Sequence, residues 1–207
     1  MYVASIVASS ILSVGFVSLA IGITTEREAG ALKRLAGTPM PKVSYFLGKI
    51  GFVIVVGLVE IALMIGIGAT LYDLRLPTDV GHWFTFAWVF GLGAASATLL
   101  GVAAGGLIGS SKAAPAVLNV PFVALQFISG VFIPDDDLPA GLRSIASWFP
   151  LRWLCKGMRS VFLPDGYLGV EPGGAWQHPR TAIVLAAWSI AGLVLARLTF
   201  RWVGRER

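Results

Sequence analysis

The chain has 207 residues, a mean hydropathy of +0.79 and a net charge of +5, and only 13% of its residues are charged. Soluble domains carry about 25% charged residues, so this composition excludes a soluble globular protein and predicts an all-α, polytopic membrane helix bundle. The Lys and Arg residues are scattered between apolar runs, which is typical of a membrane protein's loops and argues against a nucleic-acid partner.

Apolar runs predict five membrane-spanning helices in one transmembrane domain, residues 1–207, because backbone in lipid must satisfy its own hydrogen bonds. The predicted spans are residues 2–24, 50–72, 83–108, 115–133 and 181–200.

Basic residues in the connections predict the orientation of these spans. They lie in a loop over residues 25–49, in the turn at Lys112 and in the C-terminal tail that contains Arg205. We expect the protein to lie in the cell membrane of a bacterium. The positive-inside rule places these three segments on the cytoplasmic side, which leaves the N-terminus outside. The longer segment over residues 134–180 is then predicted to be external.

The most ordered polar stretch follows the first span. Thr25 and Glu28 have the spacing of a capping box, and Gly37 followed by Pro39 predicts a left-handed C-cap and a helix stop. These signals predict a short helix over residues 26–36. Alternatively, the first span continues past the membrane and breaks at Gly30.

Two roles are compatible with this short helix. Ala29, Leu32 and Leu35 recur at helical spacing and form a narrow apolar stripe between charged residues. The helix is either a solvated connection between spans or a docking helix whose stripe enters a groove on a partner protein. The pattern alone leaves both alternatives open.

Two motifs carry a resemblance to a known family. Residues 26–35 read EREAGALKRL and are followed by Thr38-Pro39 and Gly48-Lys49; residues 127–134 read FISGVFIP and are followed by Leu138-Pro139 and Trp148-Phe149-Pro150. In order and spacing they resemble the ERExGxLxRL…TP…GK and SGxxxP…LP…P signatures of ABC-2 type transporter permeases. Within that family the motifs are most similar to those in the membrane subunits of bacterial drug-resistance and daunorubicin-type ABC exporters.

The resemblance implies a partner and a direction of transport. An ABC ATPase on a separate chain would bind ATP and Mg, with no cofactor on this chain, and a second permease subunit would complete a homodimer in the lipid bilayer. The substrate would be an amphipathic drug or lipid-like molecule moved outward. The family fold has six spans, and this chain starts at what resembles the second, so a span is expected before Met1.

The resemblance also assigns residues to two sites. The segment that couples to the ATPase would contain Glu26, Arg27, Glu28, Gly30, Leu32, Lys33, Arg34, Leu35, Thr38 and Pro39. An external lid of short re-entrant helices would contain Ser129, Gly130, Pro134, Pro139 and Pro150.

Polar residues inside the spans are candidates for the substrate path. Glu60 lies near the middle of the second span, where a carboxylate is expensive and therefore a functional candidate. Asn119 and Gln126 in the fourth span are uncharged candidates of the same kind. The alternative for Glu60 is a neutral, hydrogen-bonded packing residue.

Two further patterns predict packing. Gly93, Ala97, Gly101, Gly105 and Gly109 form a small-residue stripe on the third span, which allows helices to approach closely within or between subunits. The 134–180 segment predicts amphipathic helices at or re-entering the interface. In the second of them the basic residues Arg152, Lys156 and Arg159 lie opposite an apolar face.

Enzyme chemistry has little support in this sequence. It contains no GxxxxGK[ST] phosphate-binding loop, no HExxH motif and only two histidines, and its single cysteine excludes an intrachain disulfide. We therefore predict a transporter permease subunit rather than an enzyme. The alternative is a non-ABC polytopic channel or an assembly scaffold.

Overall fold

A computed structural model describes residues 2–71, 77–133, 138–171 and 174–200, and every regular element within these ranges is helical. The α-helices are α1 (Tyr2–Leu12), α2 (Leu19–Glu28), α3 (Ala31–Ala36), α4 (Lys42–Leu71), α5 (Val80–Leu107), α6 (Ala114–Ile128), α7 (Ala140–Ala146), α8 (Pro150–Phe162) and α9 (His178–Thr199). The predicted all-α membrane bundle is therefore confirmed.

The first span is one continuous helix over Tyr2–Glu28, about 40 Å long at 1.5 Å per residue. It consists of α1, a π-helical segment over Ser13–Ser18, and α2. The π-helical segment packs against α5. The backbones of this segment and of α5 lie in close contact: a Cβ atom added to Gly101 would lie only 2.2 Å from the Gly15 carbonyl oxygen.

Helix α5 lies at the centre of the bundle and uses its small-residue stripe inside the chain. A Cβ atom on Gly93 would meet Leu154 of α8 at 2.4 Å, and one on Gly105 would meet the Ala20 carbonyl of α2 at 3.1 Å. On another side, a Cβ on Gly106 would lie 2.9 Å from the Thr199 backbone of α9. Of the two alternatives for the stripe, packing within the chain is the one observed for these glycines.

Among the described residues, four helices are long and apolar enough to cross a membrane: Tyr2–Glu28, Val43–Thr70, Val80–Leu107 and His178–Thr199. The predicted 115–133 span differs, since α6 has 15 residues, about 22 Å at 1.5 Å per residue, and is shorter than a hydrocarbon core of about 30 Å. The chain leaves the helix at Ser129 and turns at Gly130, which has a φ of 81°.

Helix α8 inserts into the bundle along its whole length. Every one of its residues is buried, and it packs against α1, α5 and α9. Sequence analysis placed the basic residues of this helix opposite its apolar face, and in the structure both faces are buried. The basic side chains are accommodated because the surrounding elements supply polar partners, described below.

Candidate coupling site

The segment after the first span adopts the alternative geometry, in which the first helix runs on and breaks at Gly30. Gly30 has a φ of 70°, a left-handed conformation that glycine adopts without steric cost. The predicted capping box was wrong, because the Thr25 hydroxyl donates to the Ile21 carbonyl at 3.0 Å within the continuing helix. The left-handed C-cap was also wrong, since Gly37 has a φ of −81°.

Three consecutive charged residues at the end of α2 each reach a different part of the bundle. Glu26 reaches α4: it accepts a hydrogen bond from the Tyr45 hydroxyl at 2.8 Å and forms an ion pair with Lys49. These contacts fasten the end of the first span to the first two turns of α4.

Arg27 reaches the C-terminal end of α5. Its guanidinium donates to the carbonyl oxygens of Gly105 at 3.1 Å and Gly106 at 3.3 Å, and also to that of Ile108. The last carbonyls of a helix lack partners within the helix and carry partial negative charge, so a cation is well placed there.

Glu28 reaches the connection between α5 and α6. Its carboxylate accepts hydrogen bonds from the Ser111 backbone N–H at 2.8 Å and from the Ser111 hydroxyl. Together, Glu26, Arg27 and Glu28 therefore join α2 to α4, α5 and the α5–α6 connection. We call these three residues the anchor triplet.

In α3 and the residues that follow it, one side chain is buried in the chain and others are exposed to solvent. Leu32 is 1% exposed and packs inside the chain, so the predicted apolar stripe is not available to a partner at this position. Lys33, Arg34, Thr38 and Pro39 are exposed. We call these four residues the exposed rim; Leu35 lies at its border, half-buried.

A cavity of about 690 Å³ opens beside this site, between α2, α3 and α4. Its wall is mainly apolar, with Leu19, Leu35, Met40 and Phe52, and one part of the wall carries the polar group of Glu26, Tyr45 and Lys49. An apolar wall with a few polar groups at one place suits a molecule that is itself amphipathic.

The substrate-path candidates do not converge. Gln126 donates to the Ser9 hydroxyl at 2.6 Å and so joins α6 to α1. Asn119 is exposed and donates to the Pro115 carbonyl of its own helix at 2.9 Å. Glu60 is half-buried on α4, and its Oε2 atom has no hydrogen-bond partner among the described residues.

The lid residues lie where the chain changes direction around α7 and α8. Ser129 is buried at the end of α6, and the Gly130 carbonyl accepts a hydrogen bond from Arg159 of α8 at 3.3 Å. Pro139 precedes α7 and Pro150 is the first residue of α8, a position where the missing N–H has no helical role. Pro134 lies outside the described residues.

Sequence analysis missed a buried ion pair beside the predicted lid residues. Arg159 is fully buried, and its guanidinium pairs with both carboxylate oxygens of Glu171, Nη2 lying 3.3 Å from Oε2. Nη1 donates to the Ser5 hydroxyl at 3.2 Å. The only signal in the sequence is an arginine and a glutamate twelve positions apart in a polar segment, which is equally typical of solvated charges.

The comparison with protein families decides the class of this protein. The sequence model of the family described as "ABC-2 family transporter protein" matches residues 1–198. This chain belongs to the ABC-2 transporter family.

Two curated relatives have the names of permeases. The chain is 21% identical over 177 residues to the probable multidrug ABC transporter permease YbhR of Escherichia coli K12, covering 86% of this chain and 47% of that protein. It is 26% identical over 153 residues to the putative transport permease YvfS of Bacillus subtilis 168, covering 72% of this chain and 60% of that protein. The chain thus spans about half the length of the first of these relatives.

Family membership and the apolar helices together make this chain a multi-pass membrane protein of the ABC-2 transporter family. The family predicted from the two motifs is therefore confirmed. Membership of this family favours the permease over the alternative of a non-ABC channel or scaffold.

Proposed function

We propose that this ABC-2 chain is the membrane-spanning permease part of an ATP-driven exporter. It would move an amphipathic drug or lipid-like molecule outward across the cell membrane, with energy from an ATPase on a separate chain. Mg and ATP would bind to that ATPase and not to this chain. The N-terminus of the chain as given would lie outside and its C-terminal tail in the cytoplasm.

The anchor triplet is the observation that carries this proposal. The exposed rim is a surface that a partner can contact, and the triplet directly behind it is bonded to α4, to the end of α5 and to Ser111. A force applied to the rim is therefore passed to three elements of the bundle at once. A solvated connection between two spans needs neither this surface nor these bonds.

The mechanism follows from that arrangement. Closure of two ATPase subunits on ATP would press on the rim, and the triplet would carry the movement into α4 and α5. Hydrolysis would release the pressure and reset the spans. The half-buried cavity beside Glu26 would change shape in each cycle, because α2, α3 and α4 all form its wall.

A second permease subunit is part of the proposal. Helix α4 exposes many large apolar side chains, among them Phe52, Val55, Val59 and Leu63. In a membrane this face contacts lipid or a second copy of the chain. Because the glycine stripe of α5 is occupied within the chain, a homodimer would form through other surfaces such as this one.

Two sets of variants separate docking from coupling. Lys33→Glu with Arg34→Glu reverses the charge of the rim, and we expect at least about tenfold weaker co-purification with a P-loop ATPase encoded by a neighbouring gene, since like charges brought together at an interface cost several kcal/mol. Ser111→Ala with Glu28→Ala removes both hydrogen bonds behind the rim, because alanine offers no side-chain acceptor to the Ser111 backbone N–H. We expect this pair to bind the ATPase normally and hydrolyse ATP without transport.

Arg197→Glu is the matched control, because Arg197 is exposed at the same end of the bundle, on α9. Leu32 is unsuitable for the test, since a charge at this buried position would disrupt folding. Normal ATPase binding and normal transport by both sets of variants, at wild-type expression, would identify the segment as a solvated connection and contradict the proposal.

A further inference from the structure

The cavity beside the anchor triplet has the size of a ligand site. Its volume of about 690 Å³ lies within the range of ordinary ligand sites, about 300–1,000 Å³. It lies at the end of the bundle that carries the exposed rim, between the end of the first span, α3 and the beginning of α4. In the proposed orientation this end faces the cytoplasm, which is the side from which an exporter takes its substrate.

The polar and apolar parts of the wall lie at different depths along the spans. Glu26 contacts Tyr45 and Lys49, so the polar groups of α2 and α4 meet near the ends of these helices. Further into the bundle the wall is apolar, with Leu19 on α2 and Phe52 on α4. Leu19 is seven positions before Glu26, about 10 Å along the helix. Between α2 and α4, the cavity therefore has the polarity of a membrane leaflet, apolar in its depth and polar toward the helix ends.

The same cavity is continuous with the outer surface of the bundle. Phe52, in its wall, is 54% exposed and belongs to the apolar outer face of α4. In a membrane this face contacts lipid or a second copy of the chain. Where it contacts lipid, a molecule with an apolar tail can reach the cavity from the membrane without carrying its tail through water.

Two glycines keep the cavity open. Gly22 on α2 and Gly48 on α4 both line it, and a Cβ atom added to either would have no atom within 4 Å. The glycines of α5 differ, since a Cβ on Gly101 or Gly105 would meet a neighbouring helix. Gly22 and Gly48 thus leave space that the described parts of the chain do not fill.

The polar part of the wall carries both signs of charge in one pair. Lys49 and Glu26 form an ion pair, and their side chains remain 18% and 35% exposed. The pair presents an ammonium donor and a carboxylate acceptor, and it has no net charge. A ligand with a net charge is attracted by one member and repelled by the other. A neutral or zwitterionic polar group can bind to both members while the pair stays intact.

We propose that this cavity is the loading site for the transported molecule, and that this molecule is an amphipath whose polar group carries no net charge. Its tail would lie against Leu19 and Phe52, and its polar group beside Glu26 and Lys49. Leu35 of α3 borders the same cavity, so the ligand would also contact the element next to the exposed rim. The proposal rests on the exporter function, because the ligand is the transported molecule, but binding itself needs no ATPase.

Protection of a cysteine at position 44 measures binding directly. Ser44 lines the cavity, whereas Val43 beside it is 63% exposed and does not line it. Each is replaced by cysteine in the Cys155→Ser protein, held in a non-ionic amphipol so that no free detergent competes. We expect dodecylphosphocholine to slow alkylation of the Ser44→Cys protein with saturation and to leave that of the Val43→Cys protein unchanged.

Two charged probes with the same tail test the polar part of the site. Dodecyltrimethylammonium and dodecyl phosphate each bring a net charge to the ion pair of Glu26 and Lys49. Because bringing like charges together is costly, we expect each to need at least about tenfold higher concentrations for half of the protection. Equal protection by the zwitterionic and the charged probes would overturn the assigned ligand class.

Filling the cavity tests its position and its role. Gly22→Leu and Gly48→Leu each place a side chain in the open space, and neither should harm folding because leucine is the better helix former. Gly51→Leu is the matched control, since a Cβ at this position also has no atom within 4 Å but Gly51 does not line the cavity. We expect both filling variants to lose protection of position 44. They should also export a fluorescent lysophosphatidylcholine more slowly from vesicles that contain the ATPase, while ATPase co-purification stays normal.

The outcomes separate this inference from the exporter function. No saturable protection of position 44, or unchanged protection in the filling variants, would overturn the binding site, and lost protection with normal export would overturn its loading role. If dodecylphosphocholine protects position 44 but the rim and Ser111 variants behave like wild type, the exporter function is contradicted and the binding site is not. Absence of protection together with the expected effects of those variants would overturn this inference alone.

Discussion

Arg159 is the most deeply buried charged residue in the described parts of the chain, and its surroundings explain how a cation is held there. Its partners come from three places: Glu171 after α8, Ser5 in the first span and Gly130 after α6. The guanidinium therefore fastens α8 to the first span and to the end of α6. A buried pair of this kind is a weak source of stability, but breaking it leaves one charge unpaired.

Glu171→Gln should reduce the free energy of unfolding by about 3–5 kcal/mol, because it leaves the Arg159 charge buried without its counter-ion. Denaturant unfolding in detergent measures this change. The control is Asp79→Asn at the exposed start of α5, where Asn still caps the helix. Arg159→Met combined with Glu171→Leu should recover most of the loss, and a Glu171→Gln protein as stable as wild type would show that the pair has no such role.

Glu60 is the second residue to test, and we propose it as a substrate-path residue. Its Oε2 atom is buried and lacks a hydrogen-bond partner among the described residues. We expect Glu60→Gln to insert at least as well as wild type and to export cationic dyes more slowly, with neutral dyes less affected, since the lost interaction is Coulombic. Dye export from vesicles measures both. Equal export of cationic and neutral dyes by the two proteins would show Glu60 to be a packing residue.

At the scale of elements, the close approach of the first span and α5 depends on glycine. The π-helical segment contains Gly15, and the backbone of this segment lies directly against Gly101. No larger side chain fits between the two helices without moving one of them. This contact sets the position of α2, and therefore of the anchor triplet, relative to the C-terminal end of α5.

Gly101→Ala should destabilise the chain by about 1–3 kcal/mol, because the new Cβ atom would lie 2.2 Å from the Gly15 carbonyl oxygen. Gly91→Ala on the same helix is the matched control, since no atom lies within 4 Å of a Cβ at that position. Gly91→Ala should be neutral or slightly stabilising, because Ala is the better helix former. Thermal unfolding in detergent distinguishes the two, and equal midpoints would contradict the observed packing.

At the scale of the whole molecule, the exposed rim and α8 lie at opposite ends of the first span. Ser5 near its beginning contacts α8, and Glu28 at its end is followed by α3. Helix α5 touches both ends, with Gly93 against Leu154 of α8 and the Gly105 carbonyl against Arg27. A continuous path of packed helices therefore connects the rim to α8.

This arrangement and the loop charges predict the accessibility of single cysteines in a Cys155→Ser protein. An impermeant thiol reagent should label positions 79 and 166 from outside, and positions 42, 112 and 205 only after the membrane is opened. Position 205 lies outside the described residues. Wild-type Cys155 is buried and should react in neither case, which serves as the control. Labelling of position 42 from outside would reverse the orientation.

The sequence by itself determined that this protein lies in lipid and that it belongs to the ABC-2 family. Apolar runs of span length predict helices because lipid offers the backbone no other partner, and four of the five predicted runs are long spanning helices in the structure. The two motifs were sufficient to predict the ABC-2 family, which the family match over residues 1–198 confirmed. The helix stop predicted from Gly37 and Pro39 also corresponds to the observed end of α3 at Ala36.

Only the tertiary structure decided which way the polar residues face. The capping box at Thr25 was wrong because the first helix continues through this residue. The pattern of α8 likewise did not indicate which groups surround its basic side chains. Arg27 instead meets carbonyls at the end of α5, 78 or more positions away, and Arg159 meets Ser5, 154 positions away. Partners so distant in sequence leave no periodic pattern. A charge is stabilised inside a membrane protein only where folding brings its counter-charge or dipole to it.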